Sequence, residues 1–227
     1  MKIGLLQAGH FVPELQSKLG DYNTLYSRLL AGHGHDFDLE TFSVVDMDFP
    51  LNLEAADGWL ISGSKHGTYE DHAFIPPLED LIRAIHASGK PMIGICFGHQ
   101  IIAQALGGTV VKYDQGWSVG RVEYNMQGQT FALNAWHQDQ VVQPPKGAVT
   151  VGYSSFCLHA ALAYGDKIWT MQPHPEFESP AIDGLIQYKS DAVEVERIEN
   201  AKRQLSAANS NTEIGKKMAD FFVKERA

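Results

Sequence analysis

Short apolar runs alternate with amphipathic segments along the first half of the chain. Four of these runs have the length of buried strands: residues 2–7, 39–45, 58–61 and 91–95. Between them, residues 21–31 and 76–88 carry leucine and isoleucine at helical spacing, and the second segment begins at prolines and ends at Gly89. This strand–loop–helix order predicts an α/β protein with a mainly parallel sheet and helices on both faces.

The pattern changes after residue 108. Shorter runs, separated by Gly, Pro and Asn, follow at residues 109–111, 118–124, 140–142, 149–153 and 158–164. We interpret them as a small mixed or antiparallel β extension of the parallel core. After Glu178 the pattern is mostly helical. No repeat or low-complexity linker interrupts the chain, so we predict one domain over residues 1–227, with 179–227 as a helical C-terminal extension.

Composition narrows the classes of function. The chain has 227 residues, is 44% hydrophobic and carries a formal net charge of −9. With no run of Lys or Arg, nucleic acid and anionic membranes are not expected partners. Two cysteines and no secretory leader indicate a reducing, cytoplasmic location. No phosphate-binding Gly-x-x-x-x-Gly-Lys-Ser/Thr loop occurs, and we predict neither a cofactor nor a metal site.

The stretch from residue 91 to 106 carries the strongest chemical signal. An apolar strand stops at Cys96, and a helix-compatible run follows at once. Gly94 and Gly98 flank the cysteine at two residues either side, which is the spacing of a nucleophile elbow, where side chains at the neighbouring positions clash. A helix N-terminus at this point favours the thiolate. The alternative is a buried core cysteine that packs as a small hydrophobe.

A second signal lies at residues 168–177, where an apolar strand leads into Gln-Pro-His-Pro-Glu. His174 and Glu176 are two apart at the end of a strand and point to the same side, so the carboxylate can orient the imidazole. Pro173 and Pro175 end the strand around the histidine. An exposed histidine in a proline-bounded turn is the alternative. Taken with Cys96, the pair predicts a nucleophile, a general base and an orienting acid.

A third segment follows the strand at residues 58–61. The turn Ser62-Gly63-Ser64 can direct a backbone N–H towards an oxyanion, together with the N–H of Phe97, the residue after the proposed nucleophile. A simple tight loop is the alternative. Further along, residues 69–72 form a polar cluster, Tyr-Glu-Asp-His, which we interpret as a substrate lid or a solvated loop.

These motifs resemble those of the class I, triad-type glutamine amidotransferases, especially the glutaminase domain of GMP synthase and free-standing γ-glutamyl peptidase-like relatives. The resemblance runs from Ile3 to about Phe177 and implies a flavodoxin-like sheet. It assigns Cys96 as nucleophile, and His174 and Glu176 as base and orienting carboxylate. In that family the oxyanion hole uses the residue after the nucleophile, here Phe97, and a Gly-Gly turn. The turn matches Gly63-Ser64, where serine replaces the second glycine.

The resemblance also implies a pocket for the amino-acid part of glutamine. Its members hold the α-amino and α-carboxylate groups through residues that match the following positions: Gln100, Trp117, Ser118, Val119, His137 and Asp139. The family's Ser-His-Gly-Asp stretch reads Trp-His-Gln-Asp here, which keeps the histidine and the acid. Independently of the family, a zwitterion needs an acid for its ammonium, and Asp139 is either that acid or an exposed turn residue.

The expected reaction is hydrolysis of the γ-amide of glutamine through a γ-glutamyl thioester, with ammonia delivered to a separate synthetase or acceptor subunit. The ~50 residues after Glu176 are too few for a second catalytic domain. The alternative is a stand-alone hydrolase of γ-glutamyl amides or peptides. A third hypothesis is a non-catalytic binding protein that kept the fold. The sequence leaves these alternatives open.

Overall fold

The apolar runs of the first half of the chain become adjacent parallel strands of one large sheet. The structure, a computed structural model, describes residues 1–225. Its strands in chain order are β1 (Lys2–Leu6), β2 (Asp38–Phe42), β3 (Gly58–Ile61), β4 (Met92–Ile95), β5 (Thr109–Lys112), β6 (Ser118–Met126), β7 (Gln129–His137), β8 (Asp139–Gln143), β9 (Ala148–Tyr153), β10 (Ala161–Tyr164) and β11 (Ile168–Met171).

The main sheet has nine strands in the order β2-β1-β3-β4-β11-β10-β9-β6-β7. The first five are parallel to one another, and the remaining pairings are antiparallel. Strands β5 and β8 form a separate antiparallel pair. The prediction of a mainly parallel sheet with a mixed or antiparallel extension is therefore confirmed. Since β4 and β11 are parallel neighbours, their carboxyl ends, which lead to Cys96 and His174, lie side by side.

Within residues 1–225, seven α-helices cover the sheet: α1 (Pro13–Leu19), α2 (Tyr22–Leu30), α3 (Ile75–Ser88), α4 (Phe97–Ala105), α5 (Ser179–Lys189), α6 (Val195–Gln204) and α7 (Asn211–Val223). Two apolar clusters show that both faces of the sheet are buried. In β3, Leu60 packs into the cluster shared with α2, α5 and α7, whereas Trp59 and Ile61 pack into the cluster shared with α3 and α4. This alternation places helices on both faces, as predicted. Among residues 1–225, no helix combines the length and hydropathy that a bilayer crossing needs.

Three elements differ from the sequence prediction. Helix α1 and strand β7 were not predicted, and the strand predicted at residues 158–164 begins only at Ala161. Strand β7 follows β6 after the two-residue turn Gln127–Gly128. Because the residues at its two ends are polar, a search for apolar runs does not identify it as a strand. The predicted helical C-terminal region is present as α5 to α7, which end at Val223, while residues 226–227 lie outside the described part of the chain.

Candidate active site

Cys96 occupies a sharp turn between β4 and α4. Its backbone has φ 52° and ψ −104°, a positive φ that a side chain disfavours. A Cβ atom on Gly94 would lie 2.5 Å from the Gly98 carbonyl oxygen, and one on Gly98 would clash with the Ile61 carbonyl oxygen. The Cys96 N–H donates to the Met171 carbonyl oxygen at 2.9 Å, which ties the turn to β11. The predicted strand–turn–helix geometry is confirmed.

The backbone strain at this turn leads to a first prediction, on stability. A non-glycine residue at such a φ costs about 1–3 kcal/mol, and glycine adopts it freely. We therefore expect the Cys96→Gly protein to have a free energy of unfolding about 1 kcal/mol higher than that of Cys96→Ala. Urea denaturation of the two variants measures this difference. Equal stability, or a more stable alanine variant, contradicts the idea that the cysteine is held under strain.

His174 and Glu176 form a buried pair at the end of β11. Nδ1 of His174 lies 2.7 Å from Oε1 of Glu176, and the Tyr26 hydroxyl donates to the same oxygen at 3.1 Å. The His174 N–H donates to the Asn134 carbonyl oxygen at 2.8 Å, and its ring stacks on Phe177 with ring centroids 4.1 Å apart. Backbone, ring and one ring nitrogen are thus all fixed, which leaves Nε2 free to face the thiol.

The electrostatics of His174 are set by two opposing effects. Burial favours the neutral imidazole, but the charges of Glu176 and Cys96, and its hydrogen bonds to both, raise the pKa of His174 to about 10. Cys96 is thus near enough to the imidazole to contribute to this shift. Gly63 lies beside the ring, where a Cβ atom would approach His174 Cε1 to 2.9 Å. The structure thus brings the three predicted triad residues, Cys96, His174 and Glu176, into one site.

The turn after β3 lies beside these three residues and is fixed by hydrogen bonds. Ser62 Oγ accepts from the Ala8 N–H at 2.9 Å and donates to the Gly63 carbonyl oxygen at 2.9 Å. The Gly98 N–H donates to the Ser62 carbonyl oxygen at 3.1 Å, which joins the turn to α4. Phe97 is the first residue of α4, where a backbone N–H has no intrahelical acceptor. The N–H groups of Ser64 and Phe97 remain the predicted oxyanion donors.

A cavity of about 190 Å³ opens beside Cys96. Its walls come from the loop after β3, the start of α4 and the ends of β5 to β8; they are formed by Ser64, Lys65, His66, Gly67, Tyr69, Glu70, Cys96, Gln100, Lys112, Trp117, Trp136, His137, Gln138 and Asp139. Four of the six predicted substrate-binding residues are among them. The other two, Ser118 and Val119, lie in β6, where they pair with His137 and Trp136 and support the wall.

Gln100 and Asp139 interact with each other in this wall. Nε2 of Gln100 donates to the Asp139 carbonyl oxygen at 2.9 Å and to Gln172 Oε1 at 3.1 Å, so its amide nitrogen is occupied by the protein. Burial raises the pKa of Asp139, against the effect of the Tyr69 hydroxyl, which donates to its Oδ1 at 3.1 Å. Asp139 therefore presents a partly desolvated carboxyl to the cavity, a suitable site for a cation.

Several residues that hold the site were missed from the sequence. Tyr26 reaches Glu176 from 150 positions away in the chain, and Asn134 lies in the unpredicted strand β7. Asn134 also donates through Nδ2 to the Phe177 carbonyl oxygen at 2.8 Å. Tyr26 sits on the apolar face of α2, so only its hydroxyl distinguishes it from a core residue. No local pattern indicates either contact.

His99, three residues after Cys96, has a structural role in the core. His99 is fully buried, its Nδ1 lies 2.8 Å from Thr170 Oγ1, and burial lowers its pKa to about 3. His99 therefore packs in the core beside the sheet.

A larger cavity of about 350 Å³ lies between the β6–β7 hairpin, the start of β11 and α7, and its walls share no residue with those of the Cys96 cavity.

An α/β sheet with a cysteine on a strained strand–helix turn, and a buried His–Glu pair after the neighbouring strand, is an architecture typical of cysteine hydrolases. The family model for "Glutamine amidotransferase class-I" matches residues 21–212. The chain belongs to this family, and it is an enzyme of the class I glutamine amidotransferase-like type.

Individual relatives agree with this assignment. The chain is 28% identical to "Gamma-glutamyl peptidase 2" of Arabidopsis thaliana, over 95% of this chain and 92% of the relative. It is 29% identical to "GMP synthase [glutamine-hydrolyzing]" of Prochlorococcus marinus, over 69% of this chain but only 31% of that protein. The crystal structure of a glutamine amidotransferase from Thermotoga maritima shares the fold, with a TM-score of 0.74, 18% identity and coverage of 99% of each chain.

Proposed function

We propose that this protein hydrolyses the γ-amide bond of glutamine, or of a glutamine-like γ-glutamyl compound, with Cys96, His174 and Glu176 as its catalytic triad. One observation carries the proposal. The His174–Glu176 pair, with its 2.7 Å contact, meets a cysteine held on a strained turn at the edge of a cavity. A nucleophile, a base and an orienting carboxylate in series are the requirements for cleaving an amide through a covalent intermediate.

In the first step, the Cys96 thiol gives its proton to Nε2 of His174, and the resulting thiolate attacks the γ-carbonyl carbon. The carbonyl electrons move to oxygen, where the N–H groups of Phe97 and Ser64 are the proposed donors, each lowering the barrier by about 3 kcal/mol. The imidazolium of His174, favoured by its raised pKa, then gives its proton to the departing nitrogen. The C–N bond breaks, and the γ-glutamyl group remains as a thioester on Cys96.

In the second step, water replaces the amine. The now neutral His174 accepts a proton from the water as its oxygen attacks the thioester carbon. The C–S bond breaks, glutamate leaves, and Cys96 and His174 return to their starting states. Glu176 keeps the proton of His174 on Nδ1 throughout, so that Nε2 faces the reacting atoms.

Asp139 is the proposed partner of the substrate ammonium. Because a hydrogen bond to a charged group contributes about 1.5–3 kcal/mol, we expect Asp139→Asn to raise KM for glutamine about 10- to 100-fold with a smaller effect on kcat. Asparagine can still accept from Tyr69, which preserves the wall. Steady-state kinetics measures the effect, and Asp114→Asn, at an exposed position in the β5–β6 loop, is the matched control. An unchanged KM removes Asp139 from the ammonium site.

The fate of the nitrogen defines two candidate functions. In the first, the chain is a cytoplasmic glutaminase subunit that delivers ammonia to a separate synthetase or acceptor subunit. Its similarity to part of a GMP synthase supports this reading, because the chain spans only 31% of that relative. Residues 1–227 then form one domain, with 179–227 as its helical extension.

In the second candidate function, the chain is a stand-alone hydrolase of γ-glutamyl amides or peptides. The observation that favours it is the match to a γ-glutamyl peptidase over 95% of this chain and 92% of that relative. The cavity wall also includes Trp117, Trp136 and Lys112, whose side chains offer surfaces for a γ-glutamyl compound larger than glutamine.

A panel assay separates these functions. Purified protein is incubated with glutamine and with a series of γ-glutamyl amides and peptides, and glutamate release is measured. Full activity on a γ-glutamyl peptide by the protein alone supports the second function. Low activity on glutamine alone, raised by a synthetase partner, supports the first. No glutamate release from any compound, and no labelling of Cys96 by a glutamine-mimicking electrophile, overturns the proposal in favour of a binding protein.

A further inference from the structure

The loop between β3 and α3 carries three side chains that converge outside the proposed triad. His66 Nδ1 lies 3.8 Å from Glu70 Oε2, and His72 Nε2 lies 2.8 Å from the same oxygen. The rings of His66 and His72 have centroids 4.0 Å apart. All three ligand atoms fall within 4.8 Å of one another, and within residues 1–225 no other group of three such side chains is this close.

The local backbone fixes this convergence. The Glu70 N–H donates to the Gly67 carbonyl oxygen at 3.1 Å, the His72 N–H to that of Glu70 at 3.0 Å, and the Ile75 N–H to that of His72 at 3.0 Å. These successive turns place residues 66, 70 and 72 on one side of the loop. Both histidine rings also pack on Phe74, which is 3% exposed, at centroid distances of 5.8 Å. The two histidine ligands are therefore supported by a buried ring, while Glu70 is exposed to solvent and is held by its hydrogen bond to His72.

We propose that His66, Glu70 and His72 bind a divalent transition-metal ion of the zinc type. Two imidazole nitrogens and one carboxylate oxygen are a ligand set that Zn²⁺ accepts, with metal–ligand distances of 2.0–2.2 Å and a fourth position for water. Neighbouring ligands of a tetrahedral ion at those distances are about 3.3 Å apart. The observed separations of 2.8 and 3.8 Å lie on either side of this value. Entry of the ion replaces the hydrogen bond between His72 Nε2 and Glu70 Oε2.

The site is coupled to the cavity beside Cys96. His66 and Glu70 both contribute to its wall. The His66 N–H donates to Ser64 Oγ at 3.2 Å, so one metal ligand is bonded to a residue of the proposed oxyanion turn. On the other side, the Phe74 ring contacts the ring of Phe97 at a centroid distance of 6.1 Å. An ion at this position would hold residues 66, 70 and 72 together as one rigid unit, and two of these residues form part of the cavity wall.

Metal titration of untagged protein tests the proposal. The Cys96→Ala background removes the competing thiol beside the cavity, and Zn²⁺ binding is followed by calorimetry. We expect one ion per chain. Co²⁺ as a spectroscopic substitute is expected to show the visible absorption of a low-coordinate nitrogen and oxygen site. His72→Asn and Glu70→Gln are each expected to weaken binding at least tenfold, whereas His86→Asn, at an exposed position in α3, leaves it unchanged.

The outcomes are distinct from those that test hydrolysis. Circular dichroism of each variant checks that the fold is kept, so that loss of binding is assigned to loss of a ligand. Absence of saturable binding to folded Cys96→Ala protein overturns the metal site. Binding that is equally strong in His72→Asn and Glu70→Gln also overturns it, because the ion must then lie elsewhere. Since the readout is metal binding, failure here leaves the proposed γ-amide hydrolysis standing, and the reverse also holds.

Discussion

Replacing Cys96 with alanine is expected to reduce kcat for γ-amide hydrolysis about 10⁶-fold, as loss of the nucleophile does in other triad hydrolases. The reason is that the thioester cannot form, while the remaining donors and the cavity can still bind substrate. The fold should persist, because alanine meets the same backbone requirement as cysteine at this turn. Glutamate release and circular dichroism of the purified variant measure the two effects separately.

The second cysteine supplies the matched control. Cys157 is 1% exposed, and burial raises the pKa of its thiol to about 12, so it is a packing residue without thiolate character at neutral pH. Cys157→Ala is expected to keep kcat within a few-fold and to lower stability by about 1 kcal/mol through the lost contacts. An electrophile that mimics glutamine should label the wild type and Cys157→Ala but not Cys96→Ala. Normal hydrolysis by Cys96→Ala protein rules out the nucleophile assignment.

The parts of the fold and site that follow local rules could be predicted from the sequence. The strand, the two glycines and the following helix around Cys96 lie within a dozen residues, and the steric demands of the turn act on that stretch alone. The same is true of the pair His174 and Glu176, whose spacing at a strand end places both side chains together. That these two segments meet follows from the parallel pairing of β4 with β11, which a strand–helix order already favours.

The supporting contacts could not be predicted, because they join distant parts of the chain. Strand β7 is specified by its pairing with β6 rather than by an apolar pattern of its own, and it carries Asn134, which holds the backbone of His174. From its place on the apolar face of α2, Tyr26 would be interpreted as a core residue, but its hydroxyl donates a hydrogen bond to Glu176. Gln100 is predicted to hold substrate, and the hydrogen bond from its amide nitrogen to the Asp139 backbone is a further contact that the sequence does not indicate. Such roles depend on three-dimensional neighbours, which the local sequence does not contain.

Glu176→Gln is expected to lower kcat about 10²- to 10⁴-fold, the range that general acid–base catalysis by a positioned side chain contributes. Tyr26 and Nδ1 of His174 contact the same oxygen, so the oxygen of the new amide can still accept from both, but the negative charge beside the imidazole is lost. Without that charge the pKa of His174 falls, and the imidazole is a weaker acceptor for the proton of Cys96. Tyr26→Phe is the matched control: it keeps the carboxylate, loses one hydrogen bond worth about 1 kcal/mol, and should cost no more than about tenfold in kcat.

The Glu176→Gln substitution is also expected to change how the free energy of unfolding depends on pH. In the wild type, the pKa of His174 is raised from 6.5 to about 10 by the charges of Glu176 and Cys96 acting against burial. A raised pKa stabilises the folded state fully below pH 6.5, and this contribution is lost as pH rises through about 10. Without the Glu176 charge, the pKa of His174 falls and most of the contribution disappears. The wild type should therefore exceed Glu176→Gln in free energy of unfolding by more at pH 6.5 than at pH 10, as urea denaturation measures. If the difference in free energy of unfolding is constant across this range, Glu176 does not raise the pKa of His174. If kcat of the variant is within tenfold of that of the wild type, Glu176 does not orient the imidazole for catalysis.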